Sequence, residues 1–362
     1  MKRPDRMKSN EHSLCTISTQ PFGLVDGESA TLWTLTNSQG MQVSVMDFGA
    51  IVTSIIMPDR DCNPVQCVLG FNNAEDYAST SYRASNPHLG AVIGRHAGRI
   101  SFAHAPLNHE LLHLTANQGE HHMHGGYTGF DQKWWKVCAT HNDEHCASVT
   151  MQLFSADGEE GYPGNLNVQV CYTLTVNNEL NIDFSAESDR DTLINLTQHS
   201  YFNLALREST ISEHQLWLLP QEVIVTDKDM IPTGDIHKAP ATLDFHSARP
   251  IGSSIIDTAY VLPPNSANNI VARLSAPDTG LSMAVKTDAP VMVVYNAQNL
   301  SEQQIPARKS LLPFAAICFE PQGYTDAPNH HAFPNNILHA GTKFKQHIAY
   351  IFSRDPIQPV IN

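Results

Sequence analysis

Three histidines, His121, His122 and His124, crowd into four residues of the stretch "GEHHMHGGYTGFDQKWW", with Gly125-Gly126 directly after them. His122 and His124, one residue apart, match a spacing that some zinc and iron sites use, and Glu120 and Asp131 stand nearby as carboxylates. Neither an H-E-x-x-H pattern nor a facing cysteine pair supports that reading, and a chain with 19 histidines produces such clusters by chance. The glycine pair suggests another use. Glycines let the backbone turn through positive φ, so a histidine just before them can be held at the lip of a cleft; the competing reading is a surface loop of solvated imidazoles.

A second histidine, His199, lies in "INLTQHSYFNLA" among Asn195, Thr197, Gln198, Ser200, Tyr201 and Asn203. That density of hydrogen-bonding groups suits a polyhydroxylated ligand, against the alternative of a core histidine satisfied by a backbone carbonyl. Glu320 ends an apolar, strand-like run in "AAICFEPQGYTDAPNH", where a carboxylate is paired, solvated at a strand end, or tuned as a base. Glu159 and Glu160 could suggest glycoside hydrolysis, but neighbours on an extended chain point to opposite faces, and the surrounding Gly and Pro favour a turn. Trp134 and Trp135 diverge for the same reason and read as packing residues.

The elements that must position these groups are strands. In "LNVQVCYTLTVNNELNIDFSAES", Leu166, Val168, Val170, Tyr172, Leu174 and Val176 alternate with smaller or polar residues, and Leu180, Ile182 and Phe184 resume the alternation after Asn177-Asn178-Glu179. That pattern predicts an antiparallel hairpin. Further β-rich runs lie at Met41–Val45, Ile51–Ile56, Ser148–Phe154, Leu216–Val225, Met283–Tyr295 and Ala349–Phe352. Only Asn73–Ala78 and Ser301–Ala307 invite a helical reading. The expected fold class is therefore all-β, a sandwich of large sheets. No low-complexity linker or internal repeat divides the chain, so one domain over 21–362 is expected, with residues 1–20 as a tail or edge strand.

Composition narrows the partners. The 36 carboxylates against 22 cations give a formal charge of -14, which repels phosphate backbones and anionic membranes, so neither nucleic acid nor membrane is an expected partner. No apolar run approaches the roughly 20 residues that span a bilayer, and the basic N-terminus has no apolar segment of signal type. The seven cysteines are scattered without a C-x-x-C pair, which fits a reduced, cytoplasmic setting.

Seven collinear motifs, "GAVIGRHAGRIS", "NQGEHHMHGGYTGFDQKWW", "SADGEEGYPGNLNVQVCYTL", "INLTQHSYFNLA", "DMIPTGDI", "IDTAYVL" and "FEPQGYTDAPNH", resemble the aldose 1-epimerase (galactose mutarotase) family along nearly the whole chain. The resemblance implies a β-supersandwich of mostly antiparallel strands with a sugar site in an open cleft. It implies that Glu320 is the general base and His199 the general acid. It further implies that His124 reaches the sugar near its ring oxygen and that Arg99 and Asp257 hold hydroxyls, leaving His121 and His122 as loop residues.

Mutarotation opens a cyclic hemiacetal and closes it on the other face, so one group takes the anomeric proton while another protonates the ring oxygen. The resemblance implies no cofactor, no metal, a small-molecule sugar as partner, and a monomer or homodimer. Two departures bear on specificity: Gly98 replaces the family's asparagine before Arg99, and Val293 stands where many members have a sugar-facing glutamine. A third, Pro321 within Glu320-Pro321-Gln322, lies beside the carboxylate. An epimerase for phosphorylated hexoses, a non-catalytic carbohydrate-binding protein and a glycoside hydrolase are the alternatives.

Overall fold

The computed structural model describes residues 14–206, 210–300, 309 and 311–354. Three antiparallel sheets dominate it. The first is a five-stranded meander, Thr16–Val25, Glu28–Thr36, Gln42–Met46, Ile51–Pro58 and Pro64–Gln66, in chain order. Residues 16–20 thus belong to an edge strand of this sheet.

The second sheet has nine strands in the spatial order Lys136–Asn142, Cys146–Ser155, Leu166–Thr175, Glu179–Ser188, Lys343–Ser353, Ser282–Thr287, Ala272–Ser275, Gln215–Leu218 and Arg249–Pro250. The expected hairpin is its centre, with Leu174 opposite Leu180 and Val170 opposite Phe184. Leu166, Val168, Val170, Tyr172 and Leu174 are all buried, as the period-two pattern requires. Fully burying each such side chain contributes roughly 1.5–3 kcal/mol.

The third sheet has six strands, in the order Tyr201–Phe202, Ile317–Gln322, Val291–Tyr295, Asp257–Val261, Glu222–Thr226 and Pro232–Lys238. Its two faces do different work. Met292, Val294 and Phe319 join the main core, which they share with Val43 and Val45 of the first sheet and Val168, Ile182 and Ile348 of the second. Residues one position away therefore face outward, into the cleft described below.

Two β-rich runs of the sequence divide in a way that alternation alone does not reveal. Leu216–Val225 breaks at Pro220, with Gln215–Leu218 in the nine-stranded sheet and Glu222–Thr226 in the six-stranded one. Met283–Tyr295 breaks at Pro290 and crosses between the same two sheets. A proline has no N–H for a ladder, so it marks where the chain leaves one sheet for the other.

Asn73 caps the short helix Ala74–Ala78 by accepting from the Asp76 N–H, as its side chain and position favour. A second short helix, Thr80–Ser85, follows it without a clear sequence signal. The other expected helix, Ser301–Ala307, lies outside the described residues. Among the described residues no helix is long and apolar enough to cross a membrane.

Candidate active site

A cleft of about 440 Å³ opens over the six-stranded sheet, and Glu320, His199, His124, Arg99 and Asp257 all line it. Register explains the floor. Val293 lies opposite both Glu320 and Ala259, and Tyr295 lies opposite Asp257, so these side chains share one face. Gln322, two residues beyond Glu320, shares it too. The strand beneath is pinned from behind, because the Tyr350 hydroxyl donates to the Phe319 carbonyl at 2.9 Å and Gln346 Nε2 donates to the Pro321 carbonyl at 3.0 Å.

His199 reaches the floor from an irregular segment. Its backbone N–H donates to the Ala91 carbonyl and its own carbonyl accepts from Gly90, each at 2.9 Å, while its ring stacks on Tyr201. The surrounding amides do not face the ligand space as the sequence suggested. Asn195 donates to the Ala97 carbonyl, Gln198 to that of Gly90, and Asn203 to that of Ala315. Short strands leave backbone groups unpaired, and these amides satisfy them.

His199 Nε2 and Glu320 Oε1 stand 3.5 Å apart with both side chains almost wholly buried. Burial, then repulsion from Asp257, pushes the Glu320 carboxyl up to about 8, with Arg99 opposing. Burial, then His88, pulls the His199 imidazole down to about 3. Both shifts favour neutral forms, so the free site differs from a simple carboxylate base beside an imidazolium acid: the pair holds one proton, on Glu320. Arg99 donates from Nε to Gln118 Oε1 at 2.8 Å. Burial raises Asp257 above the usual carboxylate range, with Arg99 opposing.

The histidine stretch separates into distinct roles. His124 has φ +50°, its Nδ1 accepts from the Gly98 N–H at 3.1 Å, and burial holds its pKa well below the usual value. Its proton is therefore on Nε2. His122 is not a loop residue: it is fully buried in the two-residue strand His122–Met123, bonded to the Thr115 carbonyl at 2.7 Å and the Tyr162 hydroxyl at 2.7 Å. His121 Nδ1 accepts from the Phe102 N–H.

His124, His199 and Glu320 bring three possible metal-donor atoms within 4.8 Å of one another. The outer hydrogen bond argues against their use as ligands. A metal-bound imidazole keeps its proton on the nitrogen away from the metal and donates it outward. At His124 that outward nitrogen instead accepts from Gly98, which sets the opposite tautomer.

Gly98 has another constraint. It sits at φ +76°, and a Cβ there would come within 2.7 Å of Thr325 Cγ2. Thr325 and Gln322 thus occupy the space into which a side chain at position 98 would project, so Gly98 is more than a deleted contact. Of the two arginines in "GRHAGR", the first is structural: Arg95 is buried and donates to the carbonyls of Ser155, Ala156, Pro163 and Gly164. Glu159 and Glu160 lie in a 3-10 turn bonded to Lys133 and Thr128 respectively. Trp135 is core, and Trp134 packs edge-on against Phe48. His88 is among the cleft residues that escaped the sequence reading; its only local signals are an Asn-Pro pair before it and a glycine two residues after it.

The open cleft on this β-supersandwich sets a buried carboxyl and imidazole side by side, with further polar groups around them. The sequence profile of the aldose 1-epimerase family matches residues 31–351, and the chain belongs to that family, whose members are isomerases. The aldose 1-epimerase of Haemophilus influenzae is 32% identical over 347 residues, covering 91% of this chain and 98% of the relative. The galactose mutarotase of Mus musculus is 30% identical, covering 87% and 92%. Among solved structures, a galactose 1-epimerase from Lactobacillus acidophilus superposes with a TM-score of 0.82 at 26% identity, covering 94% of this chain and 99% of that one.

Proposed function

We propose that this chain interconverts the α and β anomers of free hexoses such as D-galactose and D-glucose by acid–base opening and closing of the ring. The observation that carries the reading is the buried His199–Glu320 pair, 3.5 Å apart in a cleft that also holds Arg99 and Asp257. The galactose mutarotase of Mus musculus and the galactose 1-epimerase of Lactobacillus acidophilus make galactose the first sugar to test.

On sugar binding, the proton of the pair moves from Glu320 to His199. Glu320 then takes the proton of the anomeric hydroxyl while His199 protonates the ring oxygen; the C1–O5 bond breaks and a C1 aldehyde forms. Rotation about C1–C2 presents the other aldehyde face, and the two protons return along the same paths. The pair carries one proton with the ring closed, when it sits on His199, and one with the ring open, when it sits on Glu320. No proton need be exchanged with solvent during turnover. Arg99 and Asp257 hold hydroxyls through charge-assisted hydrogen bonds so that the open chain recloses in place. His124, with its proton on Nε2, donates to sugar oxygen near the ring.

Polarimetry on freshly dissolved α-D-galactose tests the reading. Wild-type protein accelerates the change in rotation and Glu320→Gln does not. Equal rates for the two proteins, or no acceleration by wild type, sinks it.

A further inference from the structure

His88 stands in the cleft wall beside the two histidines already described. Its ring lies edge-on to His124 with centroids 5.0 Å apart, and 6.0 Å from that of His199. Its Nδ1 is 3.0 Å from Oδ2 of Asp131, with side chains 13% and 3% exposed respectively. Asp131 belongs to the stretch "GYTGFDQKWW", yet the proposed reaction gives it no part.

Asp131 is held as a carboxylate. Burial works against its charge, but His88, Asn86 and Gln132 together outweigh burial and keep it below the usual carboxylate range. Asn86 Nδ2 and Gln132 Nε2 donate to the same oxygen at 2.8 and 3.1 Å. An ionised carboxylate only accepts, so His88 must donate from Nδ1, and in the neutral ring the lone pair is then at Nε2.

The backbone around His88 is held in an unusual conformation. Asn86 and His88 have φ of +26° and +55°, in the region that non-glycine residues rarely adopt. Hydrogen bonds on both sides fix it: the Tyr201 hydroxyl donates to the Pro87 carbonyl at 2.8 Å, and the Leu89 N–H donates to the Tyr82 hydroxyl at 2.9 Å. Such over-determined strain beside a cleft points to a function for the side chain it places.

We propose that His88, oriented by Asp131, is a further substrate-binding residue that accepts a hydrogen bond from one sugar hydroxyl through Nε2. The adjacent His124 presents a donor at Nε2, so the two rings form an acceptor beside a donor. That pair is complementary to a hydroxyl that accepts from His124 and donates to His88. Both tautomers are set from behind, one by the Asp131 carboxylate and the other by the Gly98 N–H. Asp131 is a positioning residue for this contact, because it reaches the hydroxyl through His88.

The inference rests on the anomer-exchange reading, and a cycle of variants against deoxy sugars separates the two. Anomer exchange is measured for wild type, His88→Phe, His88→Gln and Asp131→Asn on galactose and on its 2-, 3-, 4- and 6-deoxy derivatives. His88→Phe is expected to lower kcat/KM on galactose by about tenfold or more, as loss of a partner to a buried hydroxyl does. For one deoxy position the loss from His88→Phe and the loss from the missing hydroxyl do not add, because both remove the same contact; for the others they do.

His88→Gln, which keeps an acceptor, recovers part of the rate and guards against misfolding as the cause. Asp131→Asn reproduces the pattern of His88→Phe, because a carboxamide can donate to Nδ1 and move the ring proton to Nε2. Additive losses at every deoxy position, or His88→Phe at the wild-type rate, overturn the inference while leaving the reaction standing. Should wild type bind galactose without exchanging its anomers, the reaction fails and the same cycle is read on Kd by calorimetry.

Discussion

Replacing Glu320 by Gln preserves the shape of the side chain and removes its ionisable proton, so it tests the burial of this group through stability as well as rate. Burial first and Asp257 second lift the carboxyl from 4.5 to about 8, against Arg99. A group whose folded pKa is raised supports the fold fully below its unfolded pKa, and that support is lost as pH rises through the folded value. The window is therefore pH 4.5 to about 8, across which the unfolded chain releases the proton that the folded chain keeps. Each pH unit within it costs wild type about 1.4 kcal/mol relative to a variant with nothing to titrate. From pH 5 to pH 7, allowing for partial titration of the unfolded chain at the lower end, the difference is about 2.5 kcal/mol.

Urea denaturation of both proteins at these two pH values measures it. The stability of Glu320→Gln relative to wild type should rise by about 2.5 kcal/mol over the interval, while its anomer exchange falls by roughly 10²–10⁴-fold. A stability difference that stays constant with pH would mean that Glu320 is already ionised in the folded protein. The one-proton pair would then be wrong, even if the rate falls.

The pair also predicts a pH–rate profile. With His199 near 3 and Glu320 near 8, the one-proton state spans the interval between, so kcat/KM should be level through neutral pH and fall about tenfold per unit well above 8; an alkaline limb beginning near 6 would contradict the assignment. Gly98→Ala should destabilise the fold by about 1–3 kcal/mol in urea, from the positive φ together with the close approach to Thr325 Cγ2, and Thr325→Ser should relieve part of it. Absence of any loss would show that the space beside Gly98 is free. Dialysis against EDTA should leave the rate of anomer exchange unchanged, because the Gly98 hydrogen bond sets His124 in the tautomer unsuited to a metal; loss of rate, restored by added zinc, would reverse that reading.

The regular parts of the molecule were legible in the sequence because they are long enough to show a period. Leu166 to Phe184 supplies several turns of alternation, and the strand carrying Glu320 stands out as an apolar run ending in a single charge. The crossings at Pro220 and Pro290 were hidden, since both sides of each proline are β-rich and only the change of sheet distinguishes them. The two-residue strands Arg99–Ile100, His122–Met123 and Thr197–Gln198 carry no period at all. His122 was misread for that reason: its burial comes from Tyr162, 40 residues away, and nothing local records it. His88 was missed on similar grounds, with its partner Asp131 43 residues distant.

Burying both members of an acid–base pair looks counterproductive, since each shift moves its group away from the charged form it uses with the ring closed. The proton count resolves this. Glu320 protonated with neutral His199, and ionised Glu320 with protonated His199, contain the same number of protons, so desolvation alters their relative energy without emptying or filling the site. The closed ring requires the second arrangement and the open chain the first, and burial favours the first. A site biased in this way lowers the energy of the open-chain state, the less stable form of the sugar, relative to bound ring. Charged neighbours must then keep the ion pair accessible. Arg99 favours ionised Glu320, and Asp131 favours protonated His199 from the far side of His88. Removing either charge should slow ring closure more than ring opening, because it disfavours the ion pair that the closed ring requires, so single-turnover experiments started from the open and closed forms of a slowly cyclising aldose should separate the two steps. Unchanged rates for both steps at saturating sugar would place these charges in binding alone.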